Sequence, residues 1–492
     1  MKIKRILSLT LAFIFVVCSA AACADNADKP GTETTTGAIT TGPEDNMTDI
    51  EKRQLVSDGI PDGLTFDGED FLMIVQDMHL YDAWVEEMSG DIVDDAIFQR
   101  NAAISERFNI NIPPAENKDY ITCTTFLRNS INSNEDVYDL YLGHAVQSGA
   151  DALNGWFLNL YNVEYMNFEQ QWYPPLAVEN LTINNTMFLG VSDLAISATE
   201  NTYCMFYDKV KAENYNIGNI YDLVNSKKWT VDQLIGMVKD IYEDLDGSGK
   251  PDDNDFYGFV SNCYSNSNTY LWAFNQPVVQ ITPDLEVNIT YNSEKTVAIV
   301  DKIRQLYYGT DASRIYADHF KGYEHFSRGG ALFVNGFIGH SVSYYRDFEN
   351  DYGIIPYPMW DDKQEAYYTM ADGNFSVIAI PVTSAKTDMV GAITHAMGAY
   401  SWKNVIPNYY DIALKVKGAR DEESIAILDM ILDGRVIDFA YIYDAWKGYV
   451  FTFQDLTAPN SKIKFASMYD SKLKAATTHY NDVLDLFLGV EG

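Results

Sequence analysis

Apolar residues along this chain alternate between a run-like and a helical pattern. An unbroken apolar run at 71–75, set between Gly- and Asp-rich turns, predicts a buried strand. Residues 91–108 carry Ala96, Ile97, Ala103, Ile104 and Phe108 at helical spacing. Short strands are predicted at 109–112 and 136–142. A second helix–strand series spans 230–308. There Val231, Leu234, Ile235, Val238 and Ile241 form one apolar stripe, opened by a capping box from Thr230 to Gln233. Further strand-like runs fall at 256–260, 331–334 and 376–380. The last hundred residues read mostly as helix, with Ile425, Leu428, Ile431 and Leu432 on one face. Strands alternating with helices imply an α/β fold built on parallel sheet. No internal repeat is evident.

The first two dozen residues follow neither pattern. Lys2, Lys4 and Arg5 precede an apolar run at 6–17, small residues at 19–22, and then Cys23. A basic start, a short apolar core and small residues at the end define a secretory signal. The run is short for a membrane span, which needs about 20 apolar residues. Ala20-Ala21-Ala22-Cys23 resembles the lipobox of bacterial lipoproteins, with Ala20 where Leu is usual. That resemblance implies cleavage after residue 22 and lipidation of Cys23. Residues 24–58 hold almost no large apolar side chains and cannot bury enough surface to offset their ordering entropy. Residues 23–60 therefore read as a lipidated cysteine on a flexible linker.

Composition narrows the rest. About 430 residues remain, enough for two domains or lobes, and 47% hydrophobic content supplies their cores. A formal charge of −35 argues against nucleic acid, whose phosphates need a basic face, and makes an anionic ligand a poor default. Cys123, Cys204 and Cys263 show no CxxC or Cys/His zinc spacing. They read as buried or incidental thiols, with one disulfide left open.

Two features carry chemistry. The segment 244–255 places Asp244, Asp246, Ser248, Asp252 and Asp255 at loop positions 1, 3, 5, 9 and 12, with Gly249 at the sharp sixth position. The Lys250 carbonyl serves position 7. Calcium takes six to eight hard oxygens, and this spacing wraps them round one point. EF-hands use Glu at position 12, so Asp255 departs from them, and a strand at 256–260 replaces the second helix. The expected cofactor is a structural Ca2+ pinning a helix to the next strand. The alternative is a solvated acidic turn. Gly-Ser-Gly-Lys within the loop lacks the remainder of a phosphate loop. The second feature is the aromatic load of 34 Tyr, 25 Phe and 8 Trp. Sugars present C–H faces between hydroxyls, so their sites pair rings with Asp, Asn and Gln. Trp156, Trp272, Tyr203, Trp360 and Trp446 lie outside the helix stripes as candidate platforms, with core packing the alternative for each.

Several motifs in order resemble extracellular solute-binding proteins that serve ABC importers. Phe326-Ser-Arg-Gly329-Gly-Ala331-Leu-Phe resembles their F-x-x-G-x-A-A-M signature, with Gly330 and Leu332-Phe333 departing from it. Asp351-Tyr-Gly353-Ile-Ile-Pro356-Tyr-Pro358 resembles the segment that follows, and Asp372-Gly373-Asn374-Phe375-Ser376 the crossover back to the first lobe. Met205-Phe-Tyr-Asp208-Lys209 and Lys228-Trp229-Thr230 look like the family's first passage into the second lobe. The resemblance implies a two-lobed periplasmic-binding-protein type II fold with ligand between the lobes, closing about a hinge. It implies a first lobe over 61–202, a second over 203–371, a return over 372–425, and C-terminal helices at 426–492 completing the second lobe. By family position the ligand contacts are His144, Tyr203, Tyr207, Trp272, the segment after Gly336, Asp372 and Asn374, with Trp446 as a further platform. The implied function is a monomeric, lipid-anchored binder on the outer face of the cell membrane. It captures a sugar for an ABC permease and is not an enzyme. A secreted glycan hydrolase and a non-transport surface glycan binder are the alternatives, although no GxSxG or HExxH signature is present.

Overall fold

The computed structural model describes residues 47–415 and 422–489. The chain divides into Met1–Thr48 and Asp49–Gly492. The expected signal segment, Cys23 and most of the linker lie outside the described residues. The linker's last dozen residues are not free. Asp49–Leu55 is helical, Arg53 stacks over Trp402 at 5.0 Å and donates to its carbonyl, and Lys403 Nζ donates to the Val56 carbonyl at 2.6 Å. Ile60 is buried. These side chains find partners on the following domain, so the leash ends earlier than composition suggested.

In chain order the strands begin with β1 (Met73–Gln76), β2 (Glu116–Lys118), β3 (Leu140–His144), β4 (Tyr203–Asp208) and β5 (Tyr242–Glu243). They continue with β6 (Phe256–Asn262), β7 (Val279–Ile281), β8 (Val287–Ile289), β9 (Ser313–Tyr316) and β10 (Ala331–Phe337). The last are β11 (Tyr352–Ile355), β12 (Thr369–Met370), β13 (Ser376–Ala379) and β14 (Arg435–Val436). Of the two larger sheets, one has the order β13-β3-β1-β2 and the other β11-β4-β10-β6-β5 with β9 beside β6, while β12-β14 and β7-β8 form two-stranded sheets. β4 and β6 are buried along their whole length, as strands sandwiched between helices must be. The helix Ile92–Phe108 is capped by Asp91, and Thr230 accepts from the Gln233 amide at 3.4 Å.

Neither sheet is purely parallel. β1 runs parallel to β2 and β3, and β10 parallel to β6, but β13 is antiparallel to β3 and β4 antiparallel to β10. Apart from β5, which forms a hairpin with β6, these reversed strands enter a sheet from the other sheet. They start at the cleft where the parallel strands end, so they run the opposite way. The strand expected at 109–112 shrinks to one bridge, Asn111 to Asp70, and the ladder forms at β2 instead. Pro113 and Pro114 intervene and have no amide hydrogen to donate.

Three segments pass between the sheets. Thr202 bridges Ala371 antiparallel, and β12 pairs with β14. Buried Arg435 ties them together, donating to the Ala198 carbonyl at 2.8 Å and to Thr202 Oγ1 at 3.2 Å. The expected boundary at 425 falls inside the helix Glu422–Asp433, which packs on β11. The helix Phe439–Ile442 then packs on Ala145–Ala152 beside β3, so the tail serves both lobes. Cys123, Cys204 and Cys263 are buried and free. No helix among the described residues is long and apolar enough to cross a membrane.

Candidate ligand-binding cleft

β1, β3, β6 and β10 all end on the cleft, which is where α/β sheets present ligand-binding groups. A cavity of about 180 Å³ opens there. The second lobe supplies Tyr203 at the start of β4, then Asn262, Tyr264 and Ser265 at the end of β6. His319, Phe320 and Tyr323 enter around the start of the helix Lys321–Ser327, and Phe337, His340 and Tyr344 follow β10. The crossing segment adds Asp372 and Asn374.

The rings form a continuous wall. Phe337 lies 4.6 Å from Tyr203 and 6.1 Å from Tyr323, while Tyr323 lies 4.0 Å from His340 and 5.6 Å from Tyr344. Tyr264 stacks flat on His319 at 4.0 Å, and Phe320 is 58% exposed beside it. Polar groups fix these rings. Tyr323 accepts from Asn262 Nδ2 at 3.0 Å and donates to Asn266 Oδ1 at 3.2 Å. His340 Nδ1 accepts from the Phe337 amide at 3.1 Å, and burial drops its pKa to about 3. Asp372 accepts from the Tyr203 hydroxyl at 2.7 Å and from the Asn374 amide at 3.2 Å. Burial first, and the Asp372 charge second, push the Tyr203 hydroxyl far above its usual range.

The first-lobe side of the cleft, whose residues stand outside that lining, is built differently. Gln76 Nε2 donates to the Asn374 carbonyl at 2.6 Å, and Met78 Sδ meets Asn374 Nδ2 at 3.7 Å. His144 caps the helix Ala145–Ala152 through the Gln147 amide at 3.3 Å and lies 4.7 Å from the Tyr120 ring. Burial lowers His144 to about 4 and also lowers His79. Below it, Tyr81 donates to Glu200, whose carboxyl burial raises to about 7.

The fold thus brings Tyr203, Asp372, Asn374 and the segment after Gly336 to one cavity, while His144 stands outside its lining, at the end of β3. Tyr207 goes elsewhere: four residues along β4, it packs on Tyr221 and Phe333. Trp272 is buried 5.5 Å from Tyr441 and borders a separate cavity of about 730 Å³. Tyr441 in turn accepts from the Gly373 amide at 2.8 Å, so it stands between the two cavities. Trp446 is 54% exposed and stacks on Phe451, which lies 5.6 Å from Tyr441. Ala445 and Trp446 hold φ of 47° and 58°, two consecutive left-handed residues that display the indole at a backbone cost. Trp360 is half-buried and packs edge-on against Phe274 at the margin of the core. The sequence reading missed Asn262, Tyr264, Ser265, His319, Phe320 and Tyr323. Their one signal was position just beyond a strand that ends at the cleft.

The acidic loop closes a hairpin between β5 and β6 and does not join a helix to a strand, because the preceding helix already ends at Val238. Carboxylate oxygens of Asp244, Asp246 and Asp255 lie within 4.8 Å of one another. Asp244 accepts from the Gly247, Ser248 and Gly249 amides, with Gly247 and Gly249 in the left-handed conformation. Asp255 is buried and accepts from Tyr242, Leu245 and Asp252. Ser248 donates to the Lys250 carbonyl at 2.9 Å. Asp252 stands outside the trio and accepts from the Asn254 amide.

No protein family and no curated protein matches the chain in sequence. Solved structures do match. A cyclo/maltodextrin-binding protein complexed with maltotetraose aligns with TM-score 0.55 at 11% identity, over 86% of this chain and 97% of its own. UgpB from Mycobacterium tuberculosis, in complex with glycerophosphocholine, aligns with TM-score 0.52 at 14% identity over 86% and 98%. An ABC substrate-binding protein from Listeria monocytogenes, in complex with cycloalternan, gives 0.52 at 13% over 86% and 100%. The chain has the two-lobed fold of ABC-transporter solute-binding proteins, the fold the motif order implied.

Proposed function

We propose that this protein is a solute-binding protein that captures a sugar or oligosaccharide in the cleft and hands it to an ABC permease. The observation that carries the reading is the cavity at the facing strand ends. It is walled by rings and hydrogen-bonding side chains beside the crossing strands about which the lobes can close. Ligand touching both walls only when closed shifts the open–closed equilibrium toward the form a permease recognises. The carbohydrate ligands of similarly folded proteins support the substrate class. The signal-like start and lipobox-like Cys23 support anchoring at the outer face of the membrane. No catalytic step is assigned, and Trp446 is a rim platform in this reading. We further propose that the 244–255 hairpin holds a structural Ca2+ on Asp244, Asp246 and Asp255.

The test is a thermal melt of the full chain in detergent across mono- and oligosaccharides. A ligand of the folded state alone adds about 2.7 kcal/mol at a hundredfold excess over Kd. A saturable rise with one sugar class supports capture and names the solute. Flat melts with sugars and a rise with amino acids or peptides would overturn the substrate, and turnover of a glycoside would overturn the binder.

A further inference from the structure

The cavity's charge balance is one-sided. Its lining includes one carboxylate, Asp372, and neither arginine nor lysine. Asp372 forms no ion pair among the described residues. Lys321, next to the lining residue Phe320, lies 3.9 Å from Asp253, and Arg314 pairs with the same carboxylate at 2.7 Å. No histidine pairs with Asp372 among the described residues, and His319, which lines the cavity, stacks flat on the Tyr264 ring. His340 serves as an acceptor for a backbone amide, and so does His144. Burial depresses both, and His79 with them. A carboxylate offers about four acceptor positions. The Tyr203 hydroxyl and Asn374 amide fill two, leaving about two for the ligand.

Around this charge stand Tyr203, Tyr264, Phe320, Tyr323, Phe337 and Tyr344. Ring faces are electron-rich and attract cations, more strongly as water leaves. Closure would strip water from Asp372. A neutral hydroxyl returns a hydrogen bond but no charge, whereas an ammonium returns both. At about 180 Å³ the cavity is below the roughly 300–1,000 Å³ of pockets for drug-sized ligands, so it takes one ring-sized unit.

We infer that the unit seated in this cavity carries a protonated amine paired with Asp372, so the preferred ligand is an amino sugar or an oligosaccharide ending in one. This rests on the sugar-capture reading and sharpens it. The experiment is calorimetric titration of the full chain in detergent at neutral pH with matched sets: glucosamine, galactosamine and mannosamine, their parent hexoses, and their N-acetyl forms. Choline and putrescine are the amines without a sugar ring. The expected result is one hexosamine binding at least tenfold tighter than its parent and its N-acetyl form. Asp372→Asn should collapse that ratio to about one. The native ratio decides the matter even if the variant fails to fold. Equal or tighter binding of the neutral members overturns the amine and leaves sugar capture standing. Saturable binding of choline or putrescine with every sugar silent overturns sugar capture and keeps the cation. Silence throughout overturns both.

Discussion

The hairpin loop and the cleft both collect acidic oxygen, and they do it in opposite ways. The loop draws three carboxylates from one twelve-residue stretch and offsets their repulsion with its own amides, largely in solvent. The cleft has a single carboxylate on a crossing segment, with rings delivered to it by separate stretches of chain. A convergent trio suits a small, hard cation, and its geometry is local. A lone carboxylate among rings suits an organic ligand, and its geometry exists only when both sheets and their crossings are in place. Damage to the fold should therefore reach the cleft first, while the loop depends chiefly on where it is tied down.

That tie is Asp255, and cutting it gives the largest expected effect. Asp255→Ala leaves the Tyr242 hydroxyl and the Leu245 and Asp252 amides without their acceptor. At roughly 1–3 kcal/mol per orphaned donor, with partial rehydration, urea unfolding in chelator should show a loss of about 3 kcal/mol. A loss within 0.5 kcal/mol, the range of ordinary surface changes, would mean the loop is not fastened here. Next comes Glu200 beneath the cleft, where burial raises the carboxyl to about 7. Its folded value exceeds its unfolded one, so its contribution is full below about pH 4.5 and is lost as pH rises through 7. Glu200→Gln should therefore gain stability relative to the parent between pH 5 and pH 8, by about 2 kcal/mol. Asp246 in the exposed loop should show no such gain, since the Ser248 amide holds it below the usual carboxylate range. A pH-independent difference for Glu200→Gln would remove this contrast. Third, Phe337→Ala takes one ring from the wall. Affinity for the stabilising sugar should fall about tenfold, a loss of about 1–1.5 kcal/mol, with no change in the response to calcium. Unchanged affinity would take Phe337 off the ligand.

The same contrast explains what the sequence made legible. The clustering of Asp244, Asp246 and Asp255 could be read because all three fall in one twelve-residue stretch. The cap at Thr230 was equally local. The fold class followed from alternating strands and helices, but the reversed directions of β4 and β13 did not, because they reflect where the chain crosses between sheets. The cleft was half legible. Asp372 and Asn374 lay on a crossover motif, whereas His319, Phe320 and Tyr323 look like any other ring-bearing stretch until β6 and β10 converge beside them. Tyr207 and Trp272 were named for the same chemistry as Tyr203, and neither lines this cavity. Residue type pointed to sugar, and only the tertiary path showed which rings could meet it.

The smallest expected effect tests the loop on its own terms. If a weak extracellular-type site of about 10⁻³ M forms on Asp244, Asp246 and Asp255, then about 10 mM calcium adds RT ln 11, about 1.4 kcal/mol. Asp244→Asn removes one charge from the trio yet keeps an oxygen for the Gly247 and Ser248 amides, and the exposed Gly249 amide turns to water, so stability in chelator should fall by no more than about 1 kcal/mol. The calcium increment should shrink to a few tenths of a kcal/mol. Magnesium at the same concentration should add less, because it demands tight octahedral geometry and sheds water reluctantly. Calcium titrations of both proteins by thermal melt separate the cases. An increment lost only in the variant makes the hairpin a cation site distinct from the cleft. An increment equal in both would reduce the loop to an acidic turn satisfied by its own amides. Asp372 would then be the only carboxylate of the pair with a ligand still to find.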